Sequence, residues 1–248
     1  MPAVRSGTLV AWLRAWRSGL AAADDLVAAV TGDDEPHRVS GLDDTPDGAG
    51  LGAALIALRA VPVERVRLVL PVPGDARGLP GPGAFSTAAY TAGEGALAGA
   101  TGLVPDIITH GPEGDSTTSV CWRAYPIGPA VPDEMPLGEA EHALNTALRD
   151  TVDALTALDV ANWRPELAAA VAALRRPAAD PALPACYPPR AQRLLAQADR
   201  LALILDLAAA DTPGGSLTAQ EADNRDTALR ILAAAVRRAR LAAYHAPL

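Results

Sequence analysis

The sequence predicts an α+β protein, mainly helical, with a small mixed sheet of three to four strands, flanking helices and an antiparallel C-terminal helical bundle. Three observations predict it. Val66, Leu68, Leu70 and Val72 alternate with Arg67, Val69 and Pro71, the period of two that buries one face of a strand. An apolar content of 50% with only 4% aromatics and a single Phe leaves Ala, Leu and Val to fill the core, which favours closely packed helices. Beyond residue 140, Leu144, Leu148, Thr151, Leu155 and Leu158 recur at alternating steps of four and three, as do Leu194, Ala198, Leu201, Leu205 and Ala208. The expected division is an α+β part over 1–133, built on a strand, loop and helix, and a helical part over 134–248 that shares its core. A proline-rich connector, 126–136, joins them.

Leu9, Trp12, Leu13, Trp16 and Leu20 form a helical stripe from which Arg14 and Arg17 turn away. Burial of this face suits it better than a membrane surface. A short helix follows over 22–30. Residues 31–50 form an acidic loop with Asp33, Asp34, Glu35, Asp43, Asp44 and Asp47, read as solvated because the spacing is not that of a calcium loop. A short extended piece covers 37–40, and a helix covers 51–60.

The central stretch, 65–98, runs strand, loop and helix in succession. Its loop, 73–83, holds Gly74, Gly78, Gly81 and Gly83 beside Pro73, Pro80 and Pro82, so backbone freedom alternates with locked φ angles. Ser86 or Thr87 is the expected N-cap of a helix carrying Tyr90 and Leu97, weakened by Gly93, Gly95 and Gly99 by roughly 1 kcal/mol each. Strands over 104–110 and 117–125 then form a hairpin around Gly111, Pro112 and Gly114. Further on, Asn162 caps a helix through Leu174, Pro188 and Pro189 begin another, and Thr218 with Glu221 makes a capping box for a final helix to about Tyr244.

The net charge of −8, with all 21 basic residues arginine, excludes a dedicated nucleic-acid binder. Arg230, Arg237, Arg238 and Arg240 read as one solvated helix face. Two cysteines, Cys121 and Cys186, make neither a ligand pair nor a disulfide framework, which fits a reducing cytoplasm. Arg14 and Arg17 interrupt any signal-peptide core, and no apolar run is long enough to span a bilayer.

The strongest candidate site is the Gly/Pro loop and the helix start after it, because anions bind at helix N-termini beyond the carboxyl ends of strands. Asp75, Arg77, Gly78, Gly81, Gly83, Ser86 and Thr87 are its candidate ligand-binding residues. Gly78, Gly81 and Gly83 spell GxxGxG, neither a dinucleotide fingerprint nor a Walker loop, and turn geometry alone accounts for them. A Cys121 nucleophile with His110 as base and Glu113 or Asp115 behind it is the other catalytic arrangement, outweighed because a mid-strand Cys is ordinarily a small core residue. His37, His110, His142 and His245 lie on four elements without metal-ligand spacing, so neither metal nor cofactor is expected.

The runs RLVLPVPGDARGLPGPGAFSTAAY, LDVANWRPEL and PPRAQRLL resemble segments of uncharacterised actinobacterial proteins. The resemblance implies a bacterial cytoplasmic protein and carries over no site residues. The expectation is a non-catalytic regulatory, scaffolding or ligand-sensing protein acting through protein contacts. The alternative is an enzyme for a small anionic or phosphorylated metabolite at the loop 73–87. A homodimer is expected through helices, from the stripe of Trp12 and Trp16 and from Leu229, Ile231, Leu232 and Val236 on the last helix.

Overall fold

The computed structural model describes residues 4–112, 115–157, 183–210 and 219–248. They fall into two compact units, one holding the described residues up to Asp133 together with 183–187 and the last two residues, the other the remainder from Glu134 to Ala246. Among the described residues there are seven α-helices and a six-stranded mixed sheet. The expected helix from Asn162 to Leu174, Thr218 of the capping box, and Glu113 and Gly114 of the hairpin turn lie outside the described residues.

The first unit opens with helices α1 (Arg5–Arg17) and α2 (Ala23–Thr31), then strands β1 (Arg38–Ser40) and β2 (Ala49–Gly50) and helix α3 (Leu51–Leu58). Strand β3 (Val66–Val69), helix α4 (Ala84–Ala92) and strands β4 (Gly95–Ala98), β5 (Thr101–His110) and β6 (Thr117–Pro126) complete it. The sheet order is β2-β1-β6-β5-β4-β3, antiparallel throughout except where β1 runs parallel to β6.

Three to four strands were expected, and β2 and β4 are the additions that correct this number. The α4 helix stops at Ala92 because Gly93 takes a left-handed φ of 73°, the usual helix C-terminal turn. The chain then doubles back, and Leu97, read as helical, lies on a buried strand opposite Arg67 and Gly102. In isolation Gly-Ala-Leu-Ala has little strand preference. Its conformation comes from the two strands that sandwich it. The expected cap of α4 is corrected too: Gly83 is the N-cap residue, while Ser86 and Thr87 sit inside the first turn and donate their hydroxyls backwards to the Gly81 and Gly83 carbonyls.

Strand alternation separates two faces. Val69, Leu97 and Val104 pack with Phe85 and Ala89 of α4. The alternate positions Leu68, Ala96 and Leu103 point the other way, toward the side where α1 lies against β3, β4 and β5. The only Phe in the chain sets its ring against this sheet where β5 offers no side chain, at Gly102. A Cβ built there would stand 2.2 Å from the Phe85 ring, so the glycine is a seat for it.

Helix α1 buries Ser6, Leu9, Val10 and Leu13 fully, but Trp12 and Trp16 are only half-buried and Leu20 is exposed. The stripe is rotated from its expected centre. Arg14, expected to turn outward, instead hydrogen-bonds the Tyr187 phenol, whose pKa burial pushes up to about 12.

In the second unit, helices α5 (Leu137–Ala157) and α6 (Pro189–Ala210) both pack against α7 (Ala219–Tyr244). Their shared core is small-residue rich: Ala140, Leu144, Ala198, Leu232, Val236 and Ala239 are all buried in it. Alanine at these contacts lets the helix axes approach closely. Arg240 departs from the solvated face expected of the arginine cluster, since it is buried and donates to Asp199 at 2.7 Å. Spacings of seven, eight and ten residues from Arg230 spread the four arginines over an arc of about 160°, wide enough that Arg240, at one margin of it, reaches the buried side.

Candidate functional site

The Gly/Pro loop leaves β3 and closes on itself at once. Val72 and Asp75 exchange backbone hydrogen bonds, and Gly74, Gly78 and Gly81 take positive φ angles. Asp75 Oδ1 accepts from the backbone N–H and Nε of Arg77 at 3.2 and 2.9 Å, and Oδ2 accepts from Nη2 at 2.6 Å. Asp133 stands 4.0 Å from the same guanidinium. Asp75 and Arg77 are therefore brought together as each other's partners, and the hydroxyls of Ser86 and Thr87 are committed to Gly81 and Gly83. Of the seven candidate residues, Gly81, Gly83, Ser86 and Thr87 bond one another at the start of α4, while Asp75 and Arg77 pair earlier in the loop.

The hairpin register separates the catalytic pair considered above. His110 faces Thr117, and Cys121 faces Asp106, four positions along the strand or about 13 Å at ordinary strand rise. Cys121 Sγ lies 3.6 Å from Ser40 Oγ on β1, and His110 Nε2 lies 3.3 Å from Ser119 Oγ. Among the described residues no cluster of His, Cys, Asp and Glu could hold a metal ion.

A polar chain missing from the sequence reading runs through the first unit. Trp122 on β6 is fully buried and donates Nε1–H to His37 Nδ1 at 3.2 Å. His37 Nε2 reaches Asp34 Oδ2 at 3.2 Å, and Arg5 grips both Asp34 oxygens from α1 at 2.8 to 3.0 Å. Burial is the main cause that lowers the His37 pKa, and Asp34 opposes it. Nearby, the Glu94 carboxylate accepts the Ser6 N–H at 2.6 Å and so caps the start of α1. Burial raises the Glu94 pKa, while the Ser6 hydrogen bonds and the Arg5 charge pull it down. Asp34, assigned to a solvated acidic loop, is thus largely covered and ion-paired. The readable signal was Trp122, an inward tryptophan in mid-strand whose N–H needs an acceptor.

Two surface features remain. One is a cleft of about 280 Å³ lined by Arg65, Arg67, Leu97, Gly99, Ile127 and Pro129 among others. It lies toward the start of β3, whereas the Gly/Pro loop follows that strand's end. Two guanidinium groups beside small and apolar residues give it the chemistry to hold a small anion with an apolar body. The other is the far half of the β5–β6 hairpin, where Ile107 and Ile108 are 42% and 51% exposed.

Two domain models of one protein family match the chain in succession. The chain belongs to the Rv1486c-like proteins: residues 6–135 match the model of their N-terminal domain and residues 138–241 that of their C-terminal domain. It is 31% identical to the uncharacterized protein Rv1486c of Mycobacterium tuberculosis, over 96% of this chain and 95% of that one. It is 30% identical to the uncharacterized protein ML1804 of Mycobacterium leprae, over 97% and 96% of the two chains. The actinobacterial resemblance of the sequence is therefore shown, and it brings no functional family with it. No solved structure matches the chain. Among the described residues no helix is long and apolar enough to cross a membrane.

Proposed function

We propose that this chain is a non-catalytic cytoplasmic protein of regulatory or scaffolding role that works through protein contacts, self-association included. The supporting observation is the outer half of the β5–β6 hairpin, which presents two isoleucines to solvent, while the polar groups of the Gly/Pro loop pair with one another. We place self-association on this hairpin rather than on the helices expected to carry it. Leu9, Leu13, Leu232 and Val236 are buried within their own units, which leaves half-buried Trp12 and Trp16 and exposed Leu20 and Ile231 as what the helical stripes offer a partner. Sedimentation velocity across the micromolar range tests the reading: a concentration-dependent shift toward twice the 25.4 kDa chain mass supports it, and an unchanging monomer removes self-association from it.

A second reading, binding of a small anionic or phosphorylated metabolite, rests on the Arg65 and Arg67 cleft. Thermal shift against a library of anionic metabolites tests it, because a ligand that binds only the folded state raises Tm. A shift that disappears in Arg65→Ala supports this reading; a shift unchanged in that variant places the ligand elsewhere.

A further inference from the structure

We infer that two copies of this chain pair edge to edge through residues 106–110 of β5, antiparallel and centred on Ile108. This rests on the self-association proposed above and names its surface. Strand β5 is ten residues long, but β4 pairs only with Thr101, Gly102 and Leu103. From Pro105 to His110 its outer edge has no strand neighbour among the described residues, and Ile107 to His110 are all exposed. The outer edge of β6 is treated differently. There β1 pairs with Cys121, Trp122 and Arg123, and the Glu35 N–H donates to the Thr118 carbonyl at 2.8 Å. The open edge of the hairpin is therefore on β5; Pro105 blunts its inner end, and beyond that proline the edge carries Ile107 and Ile108 without the lysines or bulges that usually discourage pairing.

The register follows from hydrogen-bond parity. Along β5, alternate residues turn their N–H and C=O inward to β6, so only residues of one parity offer them outward. Two identical edges that pair antiparallel must match outward residues with outward residues, which requires the two facing residue numbers to sum to an even value. Some residue then faces its own copy. Only the register centred on Ile108 sets Asp106 of one copy opposite His110 of the other at both ends. It also sets Ile108 against Ile108 and Ile107 against Thr109. Centring on Ile107 would instead put Asp106 opposite Ile108, and centring on Thr109 would put His110 there.

Asp106 is prepared for the contact. Arg123 donates twice to its Oδ2, at 3.2 and 3.0 Å, which leaves Oδ1 to accept from an incoming imidazole on the same face of the ribbon. Asp106 Oδ1 as acceptor and the second ring nitrogen of His110, whose Nε2 lies against Ser119, make a self-complementary donor–acceptor pair that selects a second copy over an unrelated strand. Because each copy uses its one open β5 edge, the assembly closes as a two-fold dimer and does not propagate. A contact limited to residues 106–110 of each copy is small beside the roughly 20–30 residues a side of a standard interface, so the proposed dimer exchanges in solution.

Cysteine crosslinking tests the register directly. In a background of Cys121→Ser and Cys186→Ser, Ile108→Cys places two thiols at facing positions, within the Cα separation that a disulfide spans. Mild oxidation is expected to give a covalent dimer for Ile108→Cys, little for Ile107→Cys alone, and a dimer again when Ile107→Cys and Thr109→Cys chains are mixed. Sedimentation supplies the second arm. Asp106→Arg is expected to weaken dimerisation on the order of tenfold, a loss of about 1.4 kcal/mol, and the swap Asp106→His with His110→Asp to restore it. A dimeric wild type whose Ile108→Cys variant crosslinks no better than Ile107→Cys alone overturns the edge pairing while leaving self-association standing. A wild-type monomer at all concentrations overturns both.

Discussion

Trp122 Nε1 donates to His37 Nδ1 across 3.2 Å in the fully buried interior of the first unit, and that bond decides the state of the histidine. A tryptophan N–H is only a donor, so Nδ1 must be the accepting nitrogen and Nε2 carries the proton toward Asp34. Protonating Nδ1 would set two donors against each other.

The first prediction is a pH dependence of folding. The His37 pKa is lowered in the folded state from its ordinary 6.5, chiefly by burial. The unfolded chain therefore takes up a proton first as pH falls. The stability from neutral His37 is complete above about 6.5 and declines as pH drops from there through the folded value, by at most about 1.4 kcal/mol per pH unit. Urea unfolding from pH 7.5 to 5 checks this. Trp122→Phe strands a buried acceptor at an expected cost of about 1–3 kcal/mol and raises the His37 pKa. An unchanged His37 titration in that variant, followed by NMR, would show that the indole does not govern it.

Glu94 behaves with the opposite sign. Burial raises its folded pKa above 4.5, so the folded chain holds the proton more tightly and stability falls as pH climbs from there through the raised value. Glu94→Gln keeps an acceptor for the Ser6 N–H and is expected to flatten that slope. Glu94→Ala removes the cap of α1 and should cost about 1 kcal/mol at neutral pH. Equal unfolding free energies for the Ala and Gln variants would argue against a capping role.

Gly102→Ala is expected to destabilise the first unit by about 1–3 kcal/mol, because the new methyl meets the Phe85 ring at 2.2 Å. Adding Phe85→Leu to Gly102→Ala should recover part of the loss, since the smaller side chain gives up the occupied space. Chemical denaturation of the two variants reads this out, and a neutral Gly102→Ala would mean the ring is not seated on the glycine.

Arg77→Ala, by contrast, should change unfolding free energy by no more than about 1 kcal/mol, because the guanidinium is half-exposed and its pairing with Asp75 is screened. A larger loss would reveal that the Asp75 pair organises the whole loop rather than its tip.

Much of the architecture was legible because it depends on local periodicity. The alternation through Val66 and Leu68, the strands around Ile107 and Val120, and the four-three spacing at Leu144 and Leu194 each identify an element without reference to any other. The candidate site was legible only as a list. The sequence placed Asp75, Arg77, Ser86 and Thr87 together, but whether such groups face a ligand or the protein depends on loop dihedrals: here Asp75 pairs with Arg77, and Ser86 and Thr87 donate to the Gly81 and Gly83 carbonyls. Arg14 shows the same limit, since helical phase alone could not place Tyr187 above it.

By itself, then, the sequence determined the fold class, the order of most elements, the acidic character and the family. These follow from side-chain chemistry summed over short windows. Tertiary structure decided the rest: that Gly-Ala-Leu-Ala at 95–98 is a strand, that Asp34 joins Arg5 and His37 instead of water, and that β5 outruns β4 and leaves one edge open. Each of these depends on which distant segment supplies the missing hydrogen-bond partner or the covering side chain. No local pattern contains that information, because the partner's identity is settled only when the chain closes on itself.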